Sequence, residues 1–344
     1  MNILITGGCG FIGCNAAQRF TQLGHTVVLF DDLSRRGSEQ NLRWLRQQGS
    51  FDLVQADVCD AAAIASTVQH GAFDVVLHLA AQVAVTTSVV NPRRDFEINA
   101  LGTLNVLEAV RLHSPNTIIL NASTNKVYGK LPDLNLSEDA MRHALPDLPE
   151  GVSETQPLDF HSPYGCSKGS ADQYTIDYAR IYGLRTVNFR QSCIYGYRQF
   201  GVEDQGWVAW FTIAHALSKP VTIYGSGKQV RDILFVDDLV ECYLAAIDKI
   251  DRVAGMTFNV GGGPENTLSL LELLEALHEN SGRGVVHTFE DWRPGDQPVY
   301  VSDISKAKQL LDWQPKIGVN SGLELLHDWV VSNLDVFKQE TVSA

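Results

Sequence analysis

The chain has 344 residues, of which 44% are hydrophobic and 19% charged, and its formal net charge is -13. This length allows one large or two modest domains, and the acidic balance argues against nucleic acid or an anionic membrane as a partner. The six cysteines lack the spacing of a metal site, so we predict reduced thiols and no metal. No apolar run reaches transmembrane length and no signal peptide precedes the first strand, so we expect a cytoplasmic protein.

A glycine-rich turn lies between the first predicted strand and the first predicted helix. Residues 2–6 form a short apolar run typical of a buried strand, and residues 15–23 show helical periodicity. Between them, Gly7 allows a tight bend, Gly10 lets a pyrophosphate approach the backbone amides, and Gly13 lets helix and strand pack closely. Such a turn can occur without a ligand, but strand, turn and helix in this order are typical of dinucleotide-binding sites.

The second predicted strand, at 26–30, ends in two acids, Asp31 and Asp32. A carboxylate at this strand end can bind the ribose hydroxyls of adenosine, and it would repel a 2′-phosphate. The sequence therefore favours NAD over NADP, although Arg35 and Arg36 lie close enough to weaken that preference.

Strands and helices continue to alternate, which predicts a doubly wound parallel sheet. The next strands are predicted at 51–56, 74–79, 117–120 and 185–190, with a long helix at 95–112. After the third strand, Asp57 is either a turn residue or a contact to adenine. After the fourth strand, the small residues of the segment 80–82 leave room for a flat ligand at the carboxyl edge of the sheet.

The predicted helix at 162–181 carries a tyrosine and a lysine one turn apart. Ser162 can cap this helix, and Pro163 suits its first position. Tyr164 and Lys168 then share a face, where the ammonium and the positive end of the helix dipole favour a phenolate. Most tyrosine-lysine pairs at this spacing lie on ordinary helix surfaces, so a functional role for this pair depends on the other residues at the site. We predict a tyrosine that can take up a proton near neutral pH.

The C-terminal part of the chain has a less regular pattern. Residues 131–157 predict a long loop over the sheet edge, and residues 292–296 predict a turn. Beyond residue 190, short strands and helices alternate in a mixed α/β pattern. We predict a dinucleotide-binding domain at 1–190 and a smaller substrate-binding domain at 191–340, with the chain crossing back to the first domain around 229–260.

The glycine turn, Asp31, the Thr124 segment and the Tyr164-Lys168 pair, in this order, resemble the extended short-chain dehydrogenase/reductase family. That family comprises nucleotide-sugar epimerases, dehydratases and their relatives, and the resemblance covers nearly the whole chain. Within it, two longer strings resemble the CDP-tyvelose (CDP-paratose) 2-epimerases, namely STNKVYG at 123–129 and LDFHSPYGCSKG at 158–169. The resemblance implies a Rossmann-type fold, NAD as cofactor, a CDP-hexose or related nucleotide sugar as substrate, and a homodimer or higher homo-oligomer.

The resemblance also implies roles for individual residues. Tyr164 is the expected base and acid, Lys168 lowers its pKa and binds ribose, and Thr124 hydrogen-bonds the reacting oxygen, unless it merely ends a strand. The expected cofactor-binding residues are Gly7, Gly10, Phe11, Ile12, Gly13, Asp31, Asp32, Ser34, Arg35, Asp57, Val58, Leu79, Ala80, Ala81, Gln82, Asn99, Tyr164 and Lys168. The expected substrate-binding residues are Thr124, Asn125, Gln205, Arg231 and Arg293. The two arginines would hold the nucleotide diphosphate, or they form surface ion pairs.

Two positions depart from the family pattern. The 4,6-dehydratases of the family carry Asp-Glu after the threonine, whereas this chain has Asn125 and Lys126. Asparagine cannot protonate a leaving hydroxyl, and a charged lysine is a poor base for a sugar C5 proton, so elimination lacks its usual catalysts. Cys193 stands where many relatives have asparagine, which weakens any transfer of their sugar contacts to this chain.

Three functions remain open. The first is an NAD-dependent epimerase that oxidises one sugar carbon, C2 by resemblance and C4 as the alternative, and reduces it again from the opposite face. The second is a nucleotide-sugar dehydratase that uses Lys126, Cys166 or Cys193 as an unconventional acid or base. The third is a non-catalytic NAD-binding protein, which has no need of a tuned phenol such as Tyr164.

Overall fold

A computed structural model describes residues 1–131, 134–293 and 296–339 of the chain. The strands are Asn2–Thr6 (β1), Thr26–Phe30 (β2), Asp52–Val54 (β3), Val75–His78 (β4), Ile118–Thr124 (β5), Ser137–Glu138 (β6), His143–Ala144 (β7), Thr186–Gln191 (β8), Cys193–Tyr195 (β9), Val221–Tyr224 (β10), Val230–Phe235 (β11), Met256–Val260 (β12), Thr267–Ser269 (β13), His287–Glu290 (β14) and Val299–Tyr300 (β15). The α-helices are Phe11–Gln22 (α1), Ser38–Gln48 (α2), Ala61–Gly71 (α3), Val85–Val90 (α4), Pro92–Phe96 (α5), Gly102–His113 (α6), Ser162–Tyr182 (α7), Trp207–Ala216 (α8), Val236–Asp248 (α9), Ile250–Val253 (α10), Leu270–Ser281 (α11), Ser305–Leu311 (α12), Val319–Ser332 (α13) and Leu334–Gln339 (α14). A π-helical segment, Glu97–Leu101, joins α5 to α6, and a 3-10 turn, Asn125–Tyr128, follows β5.

The central sheet has seven parallel strands in the order β12-β8-β5-β4-β1-β2-β3. This order confirms the predicted doubly wound, Rossmann-type fold. The chain winds outward from β1 in both directions, so the strand order reverses between β1 and β4. Ligands of such sheets bind in the crevice outside the carboxyl ends of the strands at this reversal.

The central strand β1 is covered on both faces. Ile3 and Ile5 pack in a core with Phe20 of α1 and Tyr243 of α9, whereas Leu4 packs in the opposite core with helices α3 and α6. A parallel strand between two helical layers has to be apolar at nearly every position. This requirement explains why the first strand is a continuous apolar run in the sequence.

The C-terminal part forms smaller sheets beside this core. Strand β11 pairs in parallel with β9 and β15 and antiparallel with β13, while β10 pairs in parallel with β14. Strand β12 returns to the central sheet and pairs with β8. The chain thus crosses back within the region around 229–260.

Several predicted elements differ in extent from the observed ones. Strand β5 continues to Thr124, beyond the predicted end at residue 120, so the strand itself carries the threonine to the sheet edge. The predicted helix at 95–112 is interrupted by the π-helical segment. The predicted loop at 131–157 contains the short antiparallel hairpin β6-β7. Three short stretches lie outside the described residues. They are 132–133 in that predicted loop, 294–295 in the predicted turn at 292–296, and 340–344 at the end of the predicted C-terminal domain.

Across the three described ranges, no helix combines the length and the apolar character needed to cross a bilayer. Within the same ranges, no group of three His, Cys, Asp or Glu side chains is arranged to hold a metal ion. The six cysteines are free thiols.

Candidate active site

A cleft at the carboxyl edge of the central sheet begins at the glycine turn. The Gly10 N–H donates to the Gly7 carbonyl oxygen at 3.0 Å, and Gly7 has a φ of +68°, which favours glycine. A Cβ atom at Gly13 would lie 2.2 Å from the same carbonyl oxygen, so only glycine lets α1 start this close to β1. The expected cofactor residues that line the cleft are Gly7, Gly10, Phe11, Ile12, Gly13, Asp31, Asp32, Ser34, Arg35, Asp57, Val58, Leu79, Ala80, Ala81, Tyr164 and Lys168.

Asp31 is the buried acid of this cleft. Its Oδ2 accepts the Cys9 N–H at 2.9 Å, and its Oδ1 accepts the Leu33 N–H at 2.8 Å. Burial raises the pKa of Asp31, and these two backbone hydrogen bonds counteract the rise. Asp32 is exposed and accepts the N–H and the hydroxyl of Ser34 at 3.0 and 2.7 Å. Asp31 is therefore the acid suited to a ribose, while Asp32 shapes the turn.

Asp57 is a turn residue that also lines the cleft, and its predicted contact to adenine stays a prediction. Its Oδ1 accepts the Cys59 N–H at 2.9 Å, as a turn residue does, and the side chain also lines the cleft. Arg94 of α5 lines the cleft too and donates to Asp57 Oδ2 at 2.5 Å. Burial raises the pKa of Asp57, but the bonds from Cys59 and Arg94 outweigh it and lower the pKa overall. The sequence analysis missed Arg94 because no local pattern links it to Asp57.

Asn99 and Gln82, both expected to bind the cofactor, form hydrogen bonds with each other. The Gln82 N–H donates to Asn99 Oδ1 at 2.9 Å, Asn99 Nδ2 donates to the Gln82 carbonyl oxygen at 3.1 Å, and neither residue lines the cleft. Asn99 Nδ2 also donates to Asp95 Oδ1 at 3.1 Å, and Ser167 Oγ donates to Asp95 Oδ2 at 2.6 Å. This buried network ties the segment after β4 and the π-helical segment to α7. Both residues thus support the loop after β4, and their predicted contact to the cofactor stays a prediction.

Helix α7 begins where the sequence predicts. Ser162 is its first residue, and Ser162 Oγ accepts the Gly165 N–H at 3.2 Å, which is a capping bond. The φ of Ser162 is +64°, in the left-handed region that a residue other than glycine occupies at a cost in free energy. The cap thus holds a strained backbone position two residues before Tyr164.

Tyr164, Lys168 and Thr124 meet between α7 and the end of β5. Tyr164 is 8% exposed, and the neighbouring Thr124 side chain favours the ionised form of its phenol. Lys168 lies one turn later, and its Nζ donates to the Ala122 carbonyl oxygen at 2.5 Å. Strand β5 therefore presents Thr124 to the phenol and Ala122 to the ammonium. The three predicted catalytic residues form one buried group beside the cleft.

The expected lowering of the Tyr164 pKa is wrong for the chain alone. Burial raises the pKa of Tyr164 to about 12, and the hydrogen bond to Thr124 offsets only part of this rise. Burial likewise lowers the pKa of Lys168 to about 8, against the opposing charges of Asp172 and Asp95. Desolvation disfavours both charged forms here. Forming the phenolate therefore requires a further positive charge in the cleft.

The two arginines expected on the substrate side each have an acidic partner. Arg231 of β11 is buried and donates to Asp296 Oδ1 at 2.5 Å. Arg293 lies 3.0 Å from Asp204 and places its guanidinium 3.9 Å from the ring centroid of Tyr224. Both arginines are thus ion-paired, and both belong to segments of the C-terminal part. Their predicted binding of a diphosphate stays a prediction.

The residues directly after Thr124 bring no carboxylate to the site. Asn125 is buried, and its Oδ1 accepts the Thr124 hydroxyl at 3.4 Å. Lys126 follows in the 3-10 turn. Cys193 is a partly buried thiol whose pKa is raised by burial, with a partly compensating hydrogen bond to Trp207. The Asp-Glu pair expected of a dehydratase is therefore absent from the two positions after Thr124.

Gln205, expected to bind the substrate, lies at the cofactor cleft, and its predicted contact to the substrate stays a prediction. Its Oε1 accepts from Arg35 Nη2 at 2.7 Å, and both side chains line the cleft. Phe200, in the same segment, packs on Gly37, where a Cβ atom would lie 2.2 Å from the ring. The segment 198–205 of the C-terminal part therefore packs against the loop after β2. This long-range contact had no signal in the sequence.

Comparisons with known proteins match this architecture. The chain belongs to the GDP-mannose 4,6-dehydratase family, whose model matches residues 4–326, and this confirms the resemblance to extended short-chain dehydrogenases. The chain is 46% identical over 337 residues to CDP-paratose 2-epimerase of Salmonella typhi, covering 96% of this chain and 100% of the relative. UDP-glucose 4-epimerase of Thermotoga maritima, solved with UDP-glucose, is 31% identical with a TM-score of 0.83, covering 97% and 100%. UDP-glucose 4-epimerase of Thermus thermophilus, solved with NAD, is 29% identical with a TM-score of 0.80, covering 96% and 99%.

Three similar solved structures, 29%, 27% and 26% identical to this chain, contain NAD, the cofactor that the sequence predicts. The cleft fits this dinucleotide because its glycine turn can approach a pyrophosphate, and Asp31 can accept hydrogen bonds from ribose hydroxyls. Tyr164 and Lys168 line the same cleft near the N-terminal end of α7. The residues that would hold NAD therefore lie next to the residues expected to act on a substrate.

The contact between Arg35 and Gln205 is expected to slow the release of NAD. In the variant Gln205→Ala, we expect NAD to dissociate about tenfold faster, because a hydrogen bond to a charged group that closes the cleft is lost. Stopped-flow fluorescence of bound NADH, chased with excess NAD, measures this rate. Gln48→Ala is the matched control, since Gln48 contacts only the exposed Gln18 amide at 3.3 Å among the described residues. Equal release rates in the two variants would contradict the prediction.

Proposed function

We propose that this chain is a CDP-hexose 2-epimerase that interconverts CDP-paratose and CDP-tyvelose. The whole-length similarity to CDP-paratose 2-epimerase of Salmonella typhi supports this substrate. The observation that carries the reaction type is the pairing of Thr124 and Tyr164 beside Asn125 and Lys126. This site has the groups for oxidising a sugar alcohol, but not the acidic pair for eliminating water.

Tyr164 and Thr124 act on the same sugar oxygen in this proposal. The Tyr164 phenolate removes the hydroxyl proton while Thr124 hydrogen-bonds the oxygen, and Tyr164 returns the proton after the sugar is reduced again. When bound, NAD supplies the positive ring that favours the phenolate and the carbon that accepts the hydride and gives it back. Because Tyr164 is buried, the keto sugar is shielded from water between the two steps.

A panel of CDP-hexoses and UDP-hexoses tests this function. The purified protein is incubated with each sugar nucleotide, and proton NMR and mass spectrometry follow the products. We expect inversion at C2 of CDP-paratose or CDP-tyvelose without a change of mass. Inversion at C4 would identify a C4-epimerase instead, and loss of one water mass would identify a dehydratase. Either result overturns the proposal.

We also propose that the chain assembles into a homodimer through α7 and the helices that pack beside it. Apolar side chains are exposed on these neighbouring helices, including Val90 of α4 (85% exposed), Leu112 of α6 (59%) and Ile181 of α7 (62%). Phe96, at the end of α5, is 55% exposed. Clustered exposed apolar side chains mark protein interfaces more often than free surface.

Charged substitutions in this apolar patch are expected to separate the dimer. In the double variant Leu112→Glu and Ile181→Glu, two carboxylates would have to be buried without partners, so we expect a monomer. Light scattering after gel filtration gives the mass in solution. Val331→Glu is the control, because Val331 is 46% exposed on the distant helix α13. A double variant with the mass of the wild type would rule out this interface.

The cytoplasm is our proposal for where the protein works. All six cysteines are free, and burial raises the pKa of Cys9 to about 12, which keeps this thiol protonated. Free cysteines in such number suit a reducing compartment. Labelling the thiols of freshly extracted protein tests this, and six alkylated cysteines are the expected result.

A further inference from the structure

Lys126 takes no part in the proton transfers described above, yet it lies beside them. Its backbone N–H donates to Thr124 Oγ1 at 3.3 Å, so the start of the 3-10 turn is tied to the threonine. The partly buried side chain extends from this turn to the segment before β15, where Nζ donates to Gln297 Oε1 at 3.3 Å. Lys126 thus connects Thr124 with the C-terminal part of the chain.

The surroundings of the Lys126 ammonium are positively charged. Asp296 Oδ1 accepts from Arg231 Nη2 at 2.5 Å and from the Gln297 N–H at 3.0 Å, so Arg231 is the cation hydrogen-bonded to this carboxylate among the described residues. Burial lowers the pKa of Lys126, the charge of Arg231 lowers it further, and Asp296 opposes both. Two cations therefore share one carboxylate.

The hydrogen-bonding capacity of this ammonium is largely unused. An ammonium has three N–H donors, and within residues 1–131, 134–293 and 296–339 the acceptor of Lys126 Nζ is the neutral amide of Gln297. A partly buried cation with one neutral acceptor at 3.3 Å is poorly compensated for its lost hydration. The free donors and the excess positive charge both suit a ligand with electronegative oxygens.

We propose that Lys126 positions the substrate by donating a charge-assisted hydrogen bond to an oxygen where the sugar joins the β-phosphate. This inference rests on the proposed function and deepens it. The hydrogen bond from the Lys126 N–H fixes the backbone beside Thr124, so the ammonium would hold one end of the sugar while Thr124 and Tyr164 act on the reacting oxygen. The contact lies away from the reacting oxygen, so it also holds the keto sugar while the ring turns.

The binding test compares Lys126→Met with the wild type, using calorimetry with CDP and with the CDP-hexose. We expect the dissociation constant to rise about 10- to 100-fold in the variant, the range that loss of one charge-assisted hydrogen bond supports. If affinity falls for both ligands, the contact is to the β-phosphate. If affinity falls for the CDP-hexose alone, the contact is to a sugar oxygen. Lys126→Arg should restore part of the affinity. Lys130→Met is the control, because Lys130 is exposed in the same stretch of chain.

Unchanged affinity for both ligands in a folded Lys126→Met protein would overturn the proposal, with folding checked by thermal unfolding and NAD content. If the methionine variant does not fold, Lys126→Gln is measured in its place, since its amide keeps a polar group near Gln297. Binding is measured without turnover, so the result does not depend on which carbon is inverted. Failure of the proposed function would show as missing C2 inversion by the wild type, and failure of this inference as unchanged binding.

Discussion

The variant Tyr164→Phe is expected to lose at least about 10³-fold in kcat while still binding NAD. Phenylalanine keeps the ring that packs beside the cleft but removes the oxygen that takes up the sugar proton, and general base catalysis contributes about 10²–10⁴-fold. The fold should persist, because the substitution keeps the buried ring and removes a single oxygen atom. The measurements are the rate of C2 inversion by NMR and the NAD released on denaturation.

Tyr174→Phe is the matched control for this experiment. Tyr174 lies on the same helix, α7, but is 46% exposed and away from the cleft, so we expect its turnover to stay within about twofold of the wild type. Undiminished turnover by Tyr164→Phe would refute the assignment of the base. Loss of NAD together with activity would show that the phenol has a structural role instead.

Replacement of Gly13 by alanine is expected to abolish NAD binding and, with it, all turnover. The new Cβ atom would lie 2.2 Å from the Gly7 carbonyl oxygen and 2.8 Å from Gly8 Cα, and both are backbone atoms of the turn. Relief requires α1 to move away from β1, which displaces the amides that would face the pyrophosphate. The variant should purify without NAD, and added NAD should no longer raise its melting temperature.

Gly284→Ala provides the control for this substitution. A Cβ atom at Gly284 would meet no atom within 4 Å, so we expect normal NAD content and a normal melting temperature. A Gly13→Ala protein that retains stoichiometric NAD would show that the turn adapts at little cost. That result would show that NAD binding does not depend on the geometry of the glycine turn.

The cofactor half of the site could be predicted from the sequence because its residues belong to local patterns. The positions of Gly7, Gly13 and Asp31 follow from one strand, one turn and the next strand, and neighbouring parallel strands place them at the same sheet edge. Helix periodicity likewise predicts that Tyr164 and Lys168 share a face. The structure bears out this placement.

Contacts between distant segments could not be predicted in the same way. Gln205 meets Arg35, and Arg94 meets Asp57, through tertiary packing that leaves no spacing rule in the sequence. Asn99 turned out to support the loop after β4, because its amide is satisfied by Gln82.

The prediction of a lowered pKa for Tyr164 failed for a different reason. The sequence shows that Lys168 lies one turn away, but it does not show how deeply both side chains are buried. Desolvation opposes charge on the phenol and on the ammonium, and in the chain alone it outweighs their proximity. A cation near a tyrosine therefore predicts a lowered pKa only when the degree of burial is also known.

The most direct test of the mechanism follows the hydrogen on the inverted carbon. CDP-paratose carrying deuterium at C2 is converted in ordinary water, and NMR and mass spectrometry determine how much deuterium the CDP-tyvelose retains. If Tyr164 handles only the hydroxyl proton and bound NAD returns the same hydride, the deuterium should remain at C2 of the product. Replacement of that deuterium by solvent hydrogen would show that the carbon itself is deprotonated, and it would contradict the account.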